Sequence, residues 1–143
     1  MTTPYSQTLQ IKAAPQVVFA YFVDPEKLVR WMGQLARVDA VTGGQFSADI
    51  NGVLIRGHYV ALNPPYHLEI AWGEWGNAAM PPGSSRVTID LAATETGTTL
   101  TLTHSGLPKA EAEKHAMGWP HFLGRLALRA GGLDPGHDPW AVR

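Results

Sequence analysis

The sequence predicts an α+β domain: a curved antiparallel sheet of about six to seven strands closed against a long C-terminal helix, with two short helices near the N-terminus. Three observations point there. From Leu35 to His104 apolar residues recur with period two, between turn residues at short intervals. After Ser105-Gly106-Leu107-Pro108 the period returns to about 3.6. The stretch AAPQVVFAYFVDPEKLVRWMG, residues 13 to 33, reads as two short helical segments, each begun by a proline.

Tyr5 to Ile11 alternates and is the opening strand. Pro15 fits the first turn of a helix, where its missing N–H costs nothing, and Val18, Phe19 and Phe22 form one apolar face. Asp24 caps the next turn and Pro25 starts it, with Leu28, Trp31 and Met32 on the buried side. Gly43-Gly44 is a turn. Phe46, Ala48 and Ile50 then alternate with Ser47 and Asp49, a dry face against a wet one. Asn51-Gly52 is the strongest hairpin signal, because both central residues of that turn need positive φ. The strand from Val53 to Leu62 ends at Asn63-Pro64-Pro65. It is apolar on both faces, and Val53, Ile55, Tyr59 and Ala61 are the set expected inside. Leu68, Ile70 and Trp72 oppose His67 and Glu69. Val87, Ile89 and Leu91 repeat the pattern, and Leu100, Leu102 and His104 follow the Thr96-Gly97 turn. His115, Trp119, Phe122, Leu126 and Ala130 trace one face of the last helix, with Lys109, Glu111, Glu113, Lys114 and Arg125 mostly opposite. Pro120 predicts a kink or a split in it. Residues 1–130 form a single domain, and residues 131–143 a Gly/Pro-rich tail with an isolated Trp140.

Composition excludes several functions. Eleven Lys and Arg balance twelve Asp and Glu, so no broad positive field exists to draw in nucleic acid or an anionic membrane. With no cysteine there is no disulfide, no thiolate nucleophile and no Cys-ligated zinc. No apolar run approaches the roughly 20 residues of a membrane span, and the N-terminus lacks the features of a signal peptide, so the expected location is the cytoplasm. Elbow, phosphate-loop and dinucleotide motifs are missing, and the expectation is no cofactor.

IKAAPQVVFAYFVDPEKLVRWMG, GGQF, the GHYV stretch ending in NPPY, GTTLTLTHSGLP and the late Gly118-Trp119 resemble, in order and spacing, the bacterial homologues of the heat-shock protein ATPase activator domain. These belong with the START and birch-pollen-allergen-like (SRPBCC) proteins, and the resemblance runs to about Ala130. It implies the helix-grip fold, with an apolar cavity between sheet and last helix. It does not imply one activity, since related proteins carry lipids, bind hormones, cyclise polyketides or assist a chaperone.

Trp31, Trp72 and Trp119 come from three elements that such a fold brings to one cavity, as walls for a ligand or as core. His104 shares inward parity with Leu100 and Leu102. An imidazole there stays neutral and serves either as a general acid–base or as a hydrogen-bonded structural residue. His115 and Phe122 face the same space from the helix. Two histidines without the spacing of a zinc site argue for no metal. Arg56 is expected to face out, and Asp49 and Glu69 lie on the wet faces, away from paired-carboxylate chemistry. The glycines at 33, 43, 44, 52 and 57 are expected at turns or bulges. The loop from Gly73 to Ser84 is long, with Trp75 and Met80 as exposed tips of a lid.

Three functions follow, in order. The first is a binder of a small apolar or amphipathic molecule, lined by Trp31, Trp72, His104, His115, Trp119 and Phe122. The second is a cofactor-independent cyclase, hydratase or hydrolase using His104. The third is a chaperone-linked or homodimeric interaction module that presents Trp75, Met80 and Trp140.

Overall fold

Antiparallel pairing joins seven strands in the order β1-β7-β6-β5-β4-β3-β2 in a computed structural model that describes residues 3–141. The strands are β1 (Tyr5–Ile11), β2 (Leu35–Val38), β3 (Gln45–Ile50), β4 (Val53–Asn63), β5 (His67–Glu74), β6 (Ser85–Ala93) and β7 (Thr98–Ser105). Two short helices, α1 (Pro15–Val23) and α2 (Pro25–Leu28), connect β1 to β2, and α3 (Lys109–Ala130) follows β7. β1 thus lies on the far side of β7, and the meander β2 to β7 is continuous in sequence and in space.

The local signals act as their chemistry requires. Asp24 ends α1 and caps α2, its carboxylate accepting from the amides of Glu26 (2.9 Å) and Lys27 (3.4 Å). Asn51 and Gly52 both take positive φ, 51° and 89°, in the β3–β4 hairpin. In β3 Phe46, Ala48 and Ile50 are buried as alternation requires; Ser47, expected wet, is also buried. Tyr59 ties the α1 end to the sheet: its hydroxyl donates to the Phe22 carbonyl (2.7 Å), and burial raises its pKa above the usual phenol range.

β4 departs from simple alternation. The register with β5 shifts between Tyr59 and Ala61, so Val60 is an extra residue in the ladder. Ile55 and Tyr59 are buried before the shift. After it Leu62, opposite Leu68, packs on the core, whereas Ala61 lies opposite Glu69 on the outer face. The expectation that Ala61 points inward is therefore corrected: the bulge exchanges the faces. Arg56 is on the outer face, paired with Asp49 at 2.8 Å. Gly57 is neither a turn nor a bulge residue. It sits mid-strand between Phe46 and Trp72, where a Cβ would collide with the Ala71 carbonyl, and the two rings meet across it at 5.8 Å.

α3 runs unbroken through Pro120, so the helix is not split there. Ala116 and Pro120 are both exposed, so the carbonyl that loses its helical partner faces water. Residues 131–141 fold back along α3. Asp138 is buried, Arg125 donates to the Gly136 carbonyl (2.9 Å), and Trp140 stacks on His121 with centroids 3.7 Å apart. Trp140 is thus packed, where the sequence suggested an isolated residue.

Candidate functional site

Between the concave sheet and α3 lies a cavity of about 390 Å³, within the size range of small-molecule sites. Trp72 from β5, Ile50 and Ile55 from the β3–β4 hairpin, Met32 and Met80 form its apolar floor. Trp119 and Phe122 close it from α3, and Trp140 stands at its edge against Phe122 (6.0 Å). Exposed Val53, Lys114 and Trp140 mark the side on which it opens to solvent. Gly118 also lines it, and a Cβ built there meets nothing within 4 Å.

The aromatic wall continues behind the cavity. Trp72 and Trp119 are tilted against each other at 5.3 Å, and both contact the His104 ring. His104 is 0% exposed and is not part of the cavity lining. Trp119 Nε1, a donor only, gives its hydrogen to His104 Nδ1 at 3.0 Å. His104 Nε2 therefore carries the proton and donates to Ser85 Oγ (2.8 Å), while Ser85 donates onward to the Trp72 carbonyl (2.7 Å). Every hydrogen in this chain has a partner. Burial, reinforced by the neighbouring His115, pushes the His104 pKa down to about 3, so the ring is neutral at pH 7. With both ring nitrogens engaged, His104 has no proton or lone pair to offer a molecule in the cavity without breaking the chain.

One end of the cavity is polar. Glu111 is only 6% exposed and faces the cavity one turn before His115, which in turn precedes Trp119 by four residues. The Asn77 amide nitrogen bridges Glu111 Oε2 (3.3 Å) and Glu74 Oε1 (3.0 Å), and Lys114 Nζ lies 3.7 Å from Glu111 Oε2. His115 Nδ1 donates to the Glu111 carbonyl (2.9 Å).

The expected site residues thus divide. Trp72, His115, Trp119 and Phe122 line the cavity together. His104 backs it. Trp31 lies elsewhere, 1% exposed, donating from Nε1 to the Tyr21 carbonyl (3.1 Å) and edge-on to Phe22 (5.3 Å), while its neighbour Met32 reaches the floor. Met80 is fully buried, correcting the expectation of an exposed tip, and Asn77 fastens its loop by accepting from the amides of Ala79 (2.9 Å) and Met80 (3.3 Å). Trp75 is 66% exposed and does not line the cavity. Glu111, placed on the outer side of α3 by charge alone, is the principal residue missed. Its signal was present: four residues before His115, it falls on the same helix face. Glu74, Asn77 and Asn51 gave no periodic signal, because they sit at strand ends and in a loop.

Residues 12–131 match the family model described as Activator of Hsp90 ATPase homolog 1-like protein. The solution structure of the AHSA1-like protein RHE_CH02687 from Rhizobium etli is 41% identical, with a TM-score of 0.75 over 99% of this chain and 89% of that one. PFC0360w, an HSP90 activator from Plasmodium falciparum, is 27% identical with a TM-score of 0.73, covering 91% of this chain and 97% of that one. The Aha1 dimer from Colwellia psychrerythraea, at 20% identity, shares the fold, with a TM-score of 0.76 over 96% of this chain and 100% of that one. No match was found among curated proteins. Among the described residues no helix is long and apolar enough to cross a membrane. The match over residues 12–131, together with a seven-stranded sheet gripping its C-terminal helix, makes this chain a member of the activator of Hsp90 ATPase homolog 1-like family.

Proposed function

We propose that this protein binds a small, mostly apolar molecule in the cavity between the sheet and α3. The observation that carries the reading is the cavity itself: about 390 Å³ walled by Trp72, Trp119, Phe122, Met32 and Met80 and open beside Trp140. Burying an apolar guest there releases water from both surfaces, at roughly 25 cal/mol per Å² of apolar area. Catalysis through His104 has less support, because its nitrogens serve Trp119 and Ser85.

Gly118 supplies the test. Its Cβ position is empty space, so Gly118→Leu fills the cavity from α3 without a backbone clash. Leucine is also the better helix former, by up to about 1 kcal/mol. The expected result is quenching of indole fluorescence by apolar ligands in the wild type and its loss in Gly118→Leu, with thermal stability kept. Equal binding by the filled variant would place the ligand elsewhere and remove the reading.

A second reading, pairing with another copy of the chain or with a chaperone, is favoured by Trp75, whose indole is 66% exposed. Sedimentation over a range of concentrations, with Trp75→Ser as control, tests the homodimer. A monomer throughout ends that version.

A further inference from the structure

We infer that the cavity selects ligands with a hydrogen-bond-donating, preferably cationic, end, and that Glu111 is the residue that reads it. This rests on the cavity being a binding site. On the floor Trp72 Nε1 is a buried donor without a partner among the described residues, suited to an acceptor in the body of the ligand. Selection of the end group falls to the polar end, where the atoms left over are acceptors. Glu111 is 94% buried by residue, the complement of its 6% exposure, yet its two protein contacts, Asn77 and Lys114, both fall on Oε2. Oε1 has no protein partner among the described residues, and Glu111 lines the cavity. Glu74 uses Oε1 for Asn77 and keeps Oε2. His115 commits Nδ1–H to the Glu111 carbonyl, which leaves Nε2 as an acceptor in the neutral ring.

Donors are scarce beside these acceptors. The Asn77 amide is spent on the two carboxylates, and Asn51 directs its amide to Asp138 (3.4 Å). Among the described residues Lys114 is the Lys or Arg that lines the cavity; its side chain is 75% exposed and it stands 3.7 Å from Glu111, a distance that is easily given up to water. Two carboxylates against one solvated ammonium leave this end net negative. A buried carboxylate oxygen without a donor favours an ammonium or hydroxyl and disfavours a second carboxylate. The ligand class is therefore an amphipathic amine or alcohol whose apolar body lies on Trp72, Trp119 and Phe122.

Calorimetric titration with three matched probes tests this: naphthylmethylamine, naphthylmethanol and naphthoate. The amine should bind tightest and the carboxylate weakest, with about tenfold or more between them, the scale of a hydrogen bond to a charged group. Glu111→Gln should bring the amine down to the alcohol's affinity and leave the alcohol nearly unchanged. Lys114→Met, an exposed substitution that does not depend on Glu111→Gln folding, should widen the amine preference. Binding of all three without preference, or tightest binding of the carboxylate, overturns the inference while leaving the cavity as a site. Binding of none overturns the site and the inference together.

Discussion

His104 and His67 sit on β7 and β5 of one sheet and meet opposite fates. His104 faces in, between an indole N–H and a serine hydroxyl, with no anion to hold a proton. His67 faces out between two carboxylates, Nδ1 at 2.7 Å from Asp90 and Nε2 at 2.9 Å from Glu69, and Arg86 approaches Glu69 from the other side at 3.2 Å. Those hydrogen bonds raise the His67 pKa and lower that of Glu69, whereas burial lowers that of His104. Strand parity sets which histidine is buried, and the groups it then meets set the direction of its shift: burial lowers His104, and the carboxylates of Glu69 and Asp90 raise His67.

The largest expected effect breaks the inner member. His104→Ala leaves Trp119 Nε1 without its acceptor, deprives Ser85 Oγ of a donor and opens a void, and should cost about 3 kcal/mol or more in denaturant unfolding at pH 7. Trp119→Phe deletes the donor and replaces the indole by a smaller ring, which should cost about 2 kcal/mol. The two should be less than additive, because they share one hydrogen bond.

Acid separates the two histidines by sign. His104 has a folded pKa of about 3 against 6.5 unfolded, so the unfolded chain binds more protons in between. Its contribution is intact above pH 6.5 and is lost as the pH falls towards 3, with a limiting slope of about 1.4 kcal/mol per pH unit. His67 is raised, so its stabilisation is full below 6.5 and disappears as the pH rises through its folded pKa. Glu69 is lowered, so its share is present above its ordinary value near 4.5 and is lost below it. Unfolding curves between pH 4 and 9 should therefore show a wild-type acid loss that is smaller in His104→Phe, where only the carboxylate share remains. A variant as acid-sensitive as the wild type would show that the loss arises elsewhere.

The smallest effect is at the surface. His67→Ala should destabilise by about 1 kcal/mol or less at pH 5.5, where the ring is charged, and by still less at pH 9. The pH 5.5 effect should shrink further in high salt. An effect as large as that of His104→Ala would mean that exposure does not weaken the outer cluster.

Much of this was legible because it is local. Alternation placed Phe46, Ile70, Val87 and Leu102 inward, Asn51-Gly52 demanded a two-residue turn, and Asp24 before Pro25 announced a cap. Each depends on residues adjacent in the chain. Strand parity likewise placed His104 inside, and the more uniformly apolar opposite face of β4 placed Arg56 outside. The Val60 bulge was not legible, because nothing in an apolar run says which residue the partner strand will skip. Trp31 and Met32 are adjacent in the turn after α2, and only the packed fold sends one to the Tyr21 carbonyl and the other to the cavity floor.

The chain alone determined a period-two meander, its turns and a helix with one apolar stripe, because periodicity and turn geometry are short-range steric properties. Tertiary structure decided which polar atoms meet. Trp119 finds His104 across 15 residues, Ser85 finds it across 19, and Asp138 finds Asn51 across 87. Those pairings arise when the sheet curls around α3, and they determine that His104 is closed, that Glu111 faces the cavity and that the tail is held beside its opening.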